Sequence, residues 1–371
     1  MPSKRRTLTF LAGALLAPEA LAQAARATAP LTHHPSPVTP FARVVPGYKM
    51  RFPQDEGSHP EFRVEWWYVT GWLEGGGKPL GFQVTFFRAR PDVKQDNPSA
   101  FAPRQVMIAH AAISDPAHGS LVHAQRAARA GFELAGAEAG RTRVWIDEWS
   151  LRESGGTYQA LIPAPEFSLE LTLHPTQRPM LQGDAGFSRK GPAPESASYY
   201  YSLPHLKVSG ALARGGKRLS VAGMAWLDHE WSSQYLEQDA TGWDWIGINL
   251  DDGGALMAFR MRDRQGKQLW AGGSLRRPDG SVTAFSPNEV RFIPRREWQS
   301  GRTGTRYPVS FLVTAGDREV AIDPLFDDQE HDTRASTGTI YWEGAARASI
   351  GGQPAGRGYL ELTGYWRRPG L

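Results

Sequence analysis

At 371 residues with no cysteine, the chain has room for about two domains, and it excludes disulfides, thiolate zinc centres and cysteine nucleophiles. Its 40 glycines, 28 prolines and 13 tryptophans point to many short strands and turns around aromatic cores rather than to long helices. The formal charge of +4 comes with no Lys/Arg run and no aromatic-basic stripe, so nothing marks a nucleic-acid footprint.

Residues 1–27 read as a signal peptide. Lys4, Arg5 and Arg6 precede the apolar stretch Leu8–Ala17, Pro18 breaks it, and small-x-small sites follow at Ala20-Leu21-Ala22 and Ala25-Arg26-Ala27. The stretch is shorter than the roughly 20 apolar residues that span a bilayer. The Arg5-Arg6 pair fits the twin-arginine route, and an ordinary Sec signal with a basic start fits as well. Loss of this leader would bring the charge to about +1, and would leave the mature chain periplasmic or secreted. Residues 28–46, rich in Pro, Thr and Ala, read as a linker, with folding expected to begin near Phe52.

The first strand signal is Glu65–Leu73, aromatic and β-branched, ending at Gly75-Gly76-Gly77; with Leu80–Arg88 it predicts a β-hairpin. His123–Ala139, rich in Ala, Arg and Glu, reads as the one short helix. Phe167–Leu173, Val221–Trp231 and Tyr359–Trp366 alternate as half-buried strands do. Trp243–Arg260 repeats the plan of Trp67–Arg88, with aromatic strand, acidic-glycine turn, apolar strand and Phe-Arg. The echo predicts two similar β-domains, at residues 47–236 and 237–371. The expected class is all-β, with antiparallel strands closing into barrels or stacking as sandwiches.

The densest chemistry is Trp226–Tyr235. On a strand, Asp228 and Glu230 share one face, while His229 shares the other with Leu227 and Trp231. His229 therefore reads either as a ligand-facing proton-transfer group with a lowered pKa or as a hydrogen-bonded core histidine. Glu65, beside Trp66, Trp67 and Tyr68, reads either as a general acid in an apolar pocket or as the partner of Arg63 or Arg88. Trp243 and Trp245 would form an aromatic wall for an apolar ligand; core packing explains them equally. Tyr200, in Tyr199-Tyr200-Tyr201, and Trp342, in Tyr341-Trp342-Glu343, add aromatic surface with polar handles. No nucleophile elbow, phosphate loop or dinucleotide fingerprint is found. No paired-His spacing points to a metal, so no cofactor is expected.

His59–Gly71 with Gly81–Arg88, Gly223–Trp231, Gly242–Trp245, Tyr341–Ala345 and Tyr359–Tyr365 together resemble the CrtC/AttH family, across nearly all of the mature chain. The resemblance implies two tandem lipocalin-like antiparallel β-barrel or sandwich domains and an elongated hydrophobic ligand. Relatives include carotenoid 1,2-hydratases, which add water across a terminal alkene, and exported members thought to act beside ABC-type permeases. Where hydratases present a Tyr-x-Asp-like pair, this chain has Leu256–Arg260 with no carboxylate.

The leading expectation is thus an exported carrier of a lipid, isoprenoid or polyene, partnered by an ABC-type permease complex. Trp66, Trp67, Tyr68, Tyr200, Trp231, Trp243, Trp245 and Trp342 would contact the ligand. The rival is a metal-free hydro-lyase, isomerase or cyclase using His229, Asp228 or Glu65 for proton transfer. A third reading is a structural envelope protein whose aromatic residues are all core.

Overall fold

The computed structural model describes residues 41–92, 97–99 and 101–369; the leader and most of the linker lie outside them. Among the described residues the only helical element is a 3₁₀ turn at Gln54–Glu56, and the rest of the regular structure is antiparallel β.

The first sheet takes β1 (Val64–Gly75), β2 (Lys78–Ala89), β3 (Val106–Ser114), β4 (Leu121–Arg129), β5 (Ala135–Ala137), β6 (Arg143–Ile146), β7 (Trp149–Ser154), β8 (Thr157–Pro163) and β9 (Phe167–Pro175). The short β10 (Met180–Leu181) and β11 (Phe187–Arg189) follow, then the long β12 (Ala197–Arg214) and β13 (Lys217–Gln234). Its order is β4-β3-β2-β1-β13-β12-β9-β8-β7-β6-β5, with β10 and β11 paired to β12. The two edges curl towards each other: Arg126 of β4 bonds Asp147 and Glu148 in the β6–β7 turn. The result is a nearly closed barrel.

The second sheet takes β14 (Gly242–Leu250), β15 (Ala255–Arg262), β16 (Gln268–Arg276), β17 (Val282–Phe285), β18 (Val290–Gln299), β19 (Arg306–Ala315) and β20 (Arg318–Pro324). It is completed by β21 (Glu330–Asp332), β22 (Ile340–Ile350) and β23 (Gln353–Leu362). Its order is β17-β16-β15-β14-β23-β22-β20-β19-β18, with β21 against β22.

The hairpin expected from Glu65–Arg88 is present. Gly75 pairs Lys78 across Gly76 and Gly77, both at positive φ (66° and 84°), the type I′ conformation that suits strand twist and that glycine adopts without strain. The Trp243–Arg260 echo forms the equivalent β14–β15 hairpin. The two match in register as well: Glu65 pairs with Arg88 in one and Asp244 with Arg260 in the other.

The helix expected over His123–Ala139 does not form. Leu121–Arg129 instead pairs along its whole length with β3, and Val122 and Ala124 turn inward onto the first core. Ladder hydrogen bonds and burial outweigh the weak helix preference of Ala, Arg and Glu.

Each sheet wraps its own core. The first contains Trp67, Val69, Tyr199, Tyr201, Leu227 and Trp231; the second contains Ile246, Ile248, Tyr307, Phe311, Trp342 and Leu360. A third cluster lies between the sheets, with Tyr68, Trp72, Tyr200 and Trp226 from one side and Trp245, Met257, Phe259 and Tyr359 from the other. Central strands are therefore buried on both faces. The approach is close: a Cβ on Gly81 would come within 2.6 Å of the Ala345 Cβ and 2.7 Å of the Tyr359 hydroxyl.

Candidate functional site

Period-2 alternation divides each central strand between two destinations. On β1, Glu65 and Trp67 turn into the first barrel, while Trp66 and Tyr68 turn towards the second sheet. On β13, His229 and Trp231 turn into the barrel, while Asp228 and Glu230 face the second sheet. The residues named from sequence as one cluster thus belong to two separate environments.

The first is a buried ionic network inside the barrel. The Glu65 carboxylate accepts from Arg88 Nε at 2.8 Å, His229 Nε2 at 2.9 Å, Ser58 Oγ, and the backbone N–H and Nδ1 of His59. Burial alone would raise its pKa, but the Arg88 charge and the two histidines hold it well below the ordinary value. Glu65 is therefore an ionised anchor, and the raised pKa of a general acid is not found there. Arg88, fully buried, also caps the carbonyls of Phe62 and His59.

His229 is held neutral by burial, which outweighs the pull of Glu65. Its Nε2 faces Glu65 and its Nδ1 the Tyr201 hydroxyl at 3.2 Å, which assigns the proton to Nε2. Its ring stacks on Trp67 at 4.7 Å. For His59, burial lowers the pKa, but Asp55 and Glu65 outweigh it and hold the imidazole at about 9. Ligand atoms of His59, Glu65 and His229 lie within 4.8 Å of one another, a spacing that could gather a metal. Every one of those atoms already has a hydrogen-bond partner, however, and Arg88 and His59 supply the positive charge.

The second environment is a cavity between the sheets, of about 90 Å³. Trp66, Phe87, Trp243, Trp245, Phe259 and Met261 supply its apolar walls; the carboxyl groups of Asp228, Glu230, Glu343 and Glu361 line it with Lys190, and the Glu65–Arg88 pair borders it. Asp228 accepts from Tyr200 at 2.6 Å, Ser202 at 2.5 Å and Trp226 Nε1 at 2.6 Å. Burial nonetheless pushes its pKa up to about 7. Glu230 is paired with Lys190 at 2.9 Å and bonded by Ser198. The Lys190 ammonium lies 4.3 Å from the Phe259 ring centroid and 4.6 Å from that of Tyr200.

Glu343 and Glu361 stand directly opposite each other on β22 and β23. Burial raises both: Glu343, with the Glu361 charge adding to it, well above its ordinary value, and Glu361, with the charges of Asp228, Glu230 and Asp244 adding to it, to about 7 despite the Trp243 indole N–H it accepts at 2.9 Å. Two buried carboxyls side by side cannot both ionise cheaply, so the pair keeps a proton at neutral pH. Glu343 is the better holder, since neither of its oxygens has a hydrogen-bond partner of standard geometry among the described residues.

Of the residues expected at the site, Trp66, Tyr68, Tyr200, Trp243, Trp245 and Asp228 line this cavity, and Glu65 borders it from the barrel side. Trp67 and Trp231 pack in the first core, Trp342 packs in the second, and His229 sits with the first core's aromatic rings. Glu361 and Lys190 were not singled out from sequence, and Glu343 was seen only as a handle beside Trp342. The available signal was a carboxylate on an alternating, otherwise apolar strand, at Tyr341-x-Glu343 and Tyr359-x-Glu361. Further along the same strands a wider cleft of about 910 Å³ includes Trp72, Arg347 and Arg357, with no buried acid comparable to Glu343 among its lining.

Comparison with known proteins agrees with this architecture. The family model described as AttH-like matches residues 43–365. A crystal structure of a putative AttH from Nitrosomonas europaea is 52% identical, superposes with a TM-score of 0.83, and is matched over 88% of this chain and 100% of its own. Kievitone hydratase from Nectria haematococca shares the fold at 12% identity, with a TM-score of 0.66 over 88% of this chain and 99% of that one. The dehydratase asqC of Emericella nidulans is 28% identical over 98 residues, 26% of each protein, so the chain spans about a quarter of the length of that curated relative.

Proposed function

Since the chain belongs to the AttH-like family, a family with hydratase- and dehydratase-type relatives, we propose that it is an acid-base catalyst that adds water to, or removes it from, a hydrophobic alkene or alcohol. The observation that carries this reading is the protonated Glu343 facing an aromatic cavity together with Asp228 and Glu361, whose pKa values lie near 7. Protonating an alkene or a leaving hydroxyl needs an acid that keeps its proton at neutral pH, and the return step needs a base that gives its proton up readily. Glu343 suits the first role, and Asp228 or Glu361 the second. Positive charge developing on carbon would be met by the faces of Trp66, Trp243, Trp245 and Phe259. No step requires a metal.

Cavity size bears on the substrate. About 90 Å³ is less than the roughly 150 Å³ that accepts a benzene ring, so only a compact reactive end enters, and the rest of a longer molecule stays outside. The same lining weakens the carrier reading: a purely apolar guest offers no hydrogen-bond partner to Glu343, whose oxygens have none of standard geometry among the described residues. Export to the periplasm and partnership with a permease remain part of the proposal through the leader and the family resemblance alone.

The test is label incorporation from ¹⁸O-water into a panel of terminal alkenes and tertiary or β-hydroxylated isoprenoid and aromatic compounds. Glu343→Gln should lower turnover about 10²- to 10⁴-fold with binding retained. Absence of incorporation across the panel, combined with stoichiometric retention of an elongated lipid in native mass spectra, would establish a carrier instead.

A further inference from the structure

Beside Glu343 three imidazoles gather from both sheets, none of them lining the cavity: His110 of β3, His123 of β4 and His331 of β21. The His331 ring centroid lies 4.6 Å from that of His123, 5.2 Å from His110 and 5.0 Å from Tyr341. His110 uses both nitrogens, Nδ1 with the Tyr341 hydroxyl at 3.0 Å and Nε2 with Ser336 Oγ at 2.9 Å. His331 is different. It is completely buried, yet neither of its ring nitrogens has a hydrogen-bond partner among the described residues, and neither does Nδ1 of His123. Its Nδ1 lies 3.9 Å from Glu343 Oε2.

A buried imidazole with both nitrogens unpaired costs stability, and buried polar groups left in that state call for an explanation. Packing does not give one, since His110 and His229 fill comparable buried sites with their nitrogens satisfied. The 3.9 Å gap to Glu343 suits one bridging water or a small swing of the ring. On the far side His123 is half-buried, and the charges around it are Asp332, Arg302 and Glu166. The groups facing His331 itself are His110, His123, Tyr341 and Glu343. Burial and the two neighbouring histidines keep it neutral, the form in which one ring nitrogen donates and the other accepts.

We propose that His331 and His123 form a proton relay that connects Glu343 to solvent and restores its proton after each turnover. The proposal rests on the reading of Glu343 as the acid. Once Glu343 has given its proton to substrate and a different carboxylate has taken one from water or product, the acid is one proton short and the base holds one extra. The relay closes that cycle. His331 gives the Nδ1 proton to the Glu343 carboxylate, its Nε2 takes a proton delivered by His123 from solvent water, and the starting tautomer returns when Nδ1 takes a proton from the bridging water and Nε2 releases its own back through His123. The base releases its proton to water, so protons balance. His331 touches no substrate and is a positioning residue for the acid.

Hydrogen-deuterium exchange of the Glu343 carboxyl, followed by infrared spectroscopy on the full chain, tests this without a substrate. The C=O band of the protonated acid is identified by its loss in Glu343→Gln, and its shift is timed after mixing into D₂O. His331→Phe should slow the shift at least about tenfold. His331→Gln, which keeps polarity but cannot pass a proton, should slow it similarly, and it serves alone if the Phe variant does not fold. His123→Ala should slow it less, with recovery on adding imidazole. Equal rates in wild type and both His331 variants would overturn the relay and leave the acid reading intact. A wild-type spectrum with no band sensitive to Glu343→Gln would overturn the acid reading, and the relay with it.

Discussion

Asp228→Asn should make this protein more stable at pH 8 and leave it nearly unchanged at pH 4. Asp228 is buried, and burial raises its pKa from 3.8 to about 7. Because the folded value lies above the unfolded one, the folded chain binds the proton more tightly between those two pH values. The stability this confers is complete below about pH 4 and is lost as pH rises through 7. A displacement of that size corresponds to about 4 kcal/mol, a large part of the roughly 5–15 kcal/mol that holds a protein folded. Asparagine preserves the local geometry: its Oδ1 can accept from Ser202 and Trp226, and its Nδ2 can donate to the Tyr200 hydroxyl, which turns to receive it. The carboxamide carries no charge, so the variant escapes the loss. Urea unfolding followed by tryptophan fluorescence at several pH values gives the comparison, with the variant expected to gain on the order of 2–4 kcal/mol over wild type at pH 8. A variant that is equally destabilised at pH 4 and pH 8 would refute the reasoning, because it would mean that folding does not raise the Asp228 carboxyl. Activity should fall as stability rises, the usual consequence of charge placed for function.

The opposite sheet face carries its own pH signature. His59 is held at about 9 against an ordinary 6.5, so its contribution is complete below pH 6.5 and lost as pH rises through 9; His59→Asn should flatten the stability profile over that window, as urea midpoints would record. Arg88→Met strands the Glu65 carboxylate and should cost about 3–5 kcal/mol, while adding Glu65→Gln should recover part of it; additive losses in the double variant would show that the pair is not coupled. Cell fractionation tests the export proposal: the full chain should appear in the periplasm, and its retention inside the cell after R5K and R6K would identify the twin-arginine route.

Strand periodicity made part of this site legible. Alternation alone separates Trp66 and Tyr68 from Glu65 and Trp67, and Asp228 and Glu230 from His229 and Trp231. What alternation does not tell is where each face goes. On β1 and β13 both faces are buried, so hydrophobicity gives no contrast between inside and outside. The sequence therefore could not say that His229 meets its own barrel while Asp228 meets another sheet. Glu343 and Glu361 were harder still, since they reach Asp228 only through the packing of strands more than a hundred residues apart. The His123–Ala139 segment failed for a simpler reason, because local composition was read where a long-range ladder decides.

The matched hairpins explain why the acids lie between the sheets and not within them. In each half, the carboxylate at the hairpin position equivalent to Glu65 points inward and is neutralised. Glu65 meets Arg88, and Asp244 meets Arg260 at 2.6 Å and Arg262 at 3.0 Å. Both hairpins thereby fix these inward carboxylates in ion pairs, which tie strands together. The outer faces of the same hairpins carry aromatic rings, Trp66 and Tyr68 from one and Trp243 and Trp245 from the other, and these meet across the interface. Asp228, Glu343 and Glu361 enter that aromatic layer without an arginine partner. Burial in that layer keeps carboxyl protons near pH 7, so the acid-base chemistry proposed for Asp228, Glu343 and Glu361 requires both halves in contact. A change that parts the sheets, such as Gly81→Leu pressing against Ala345 and Tyr359, should return Asp228 and Glu361 towards ordinary carboxylate behaviour even where each barrel stays folded.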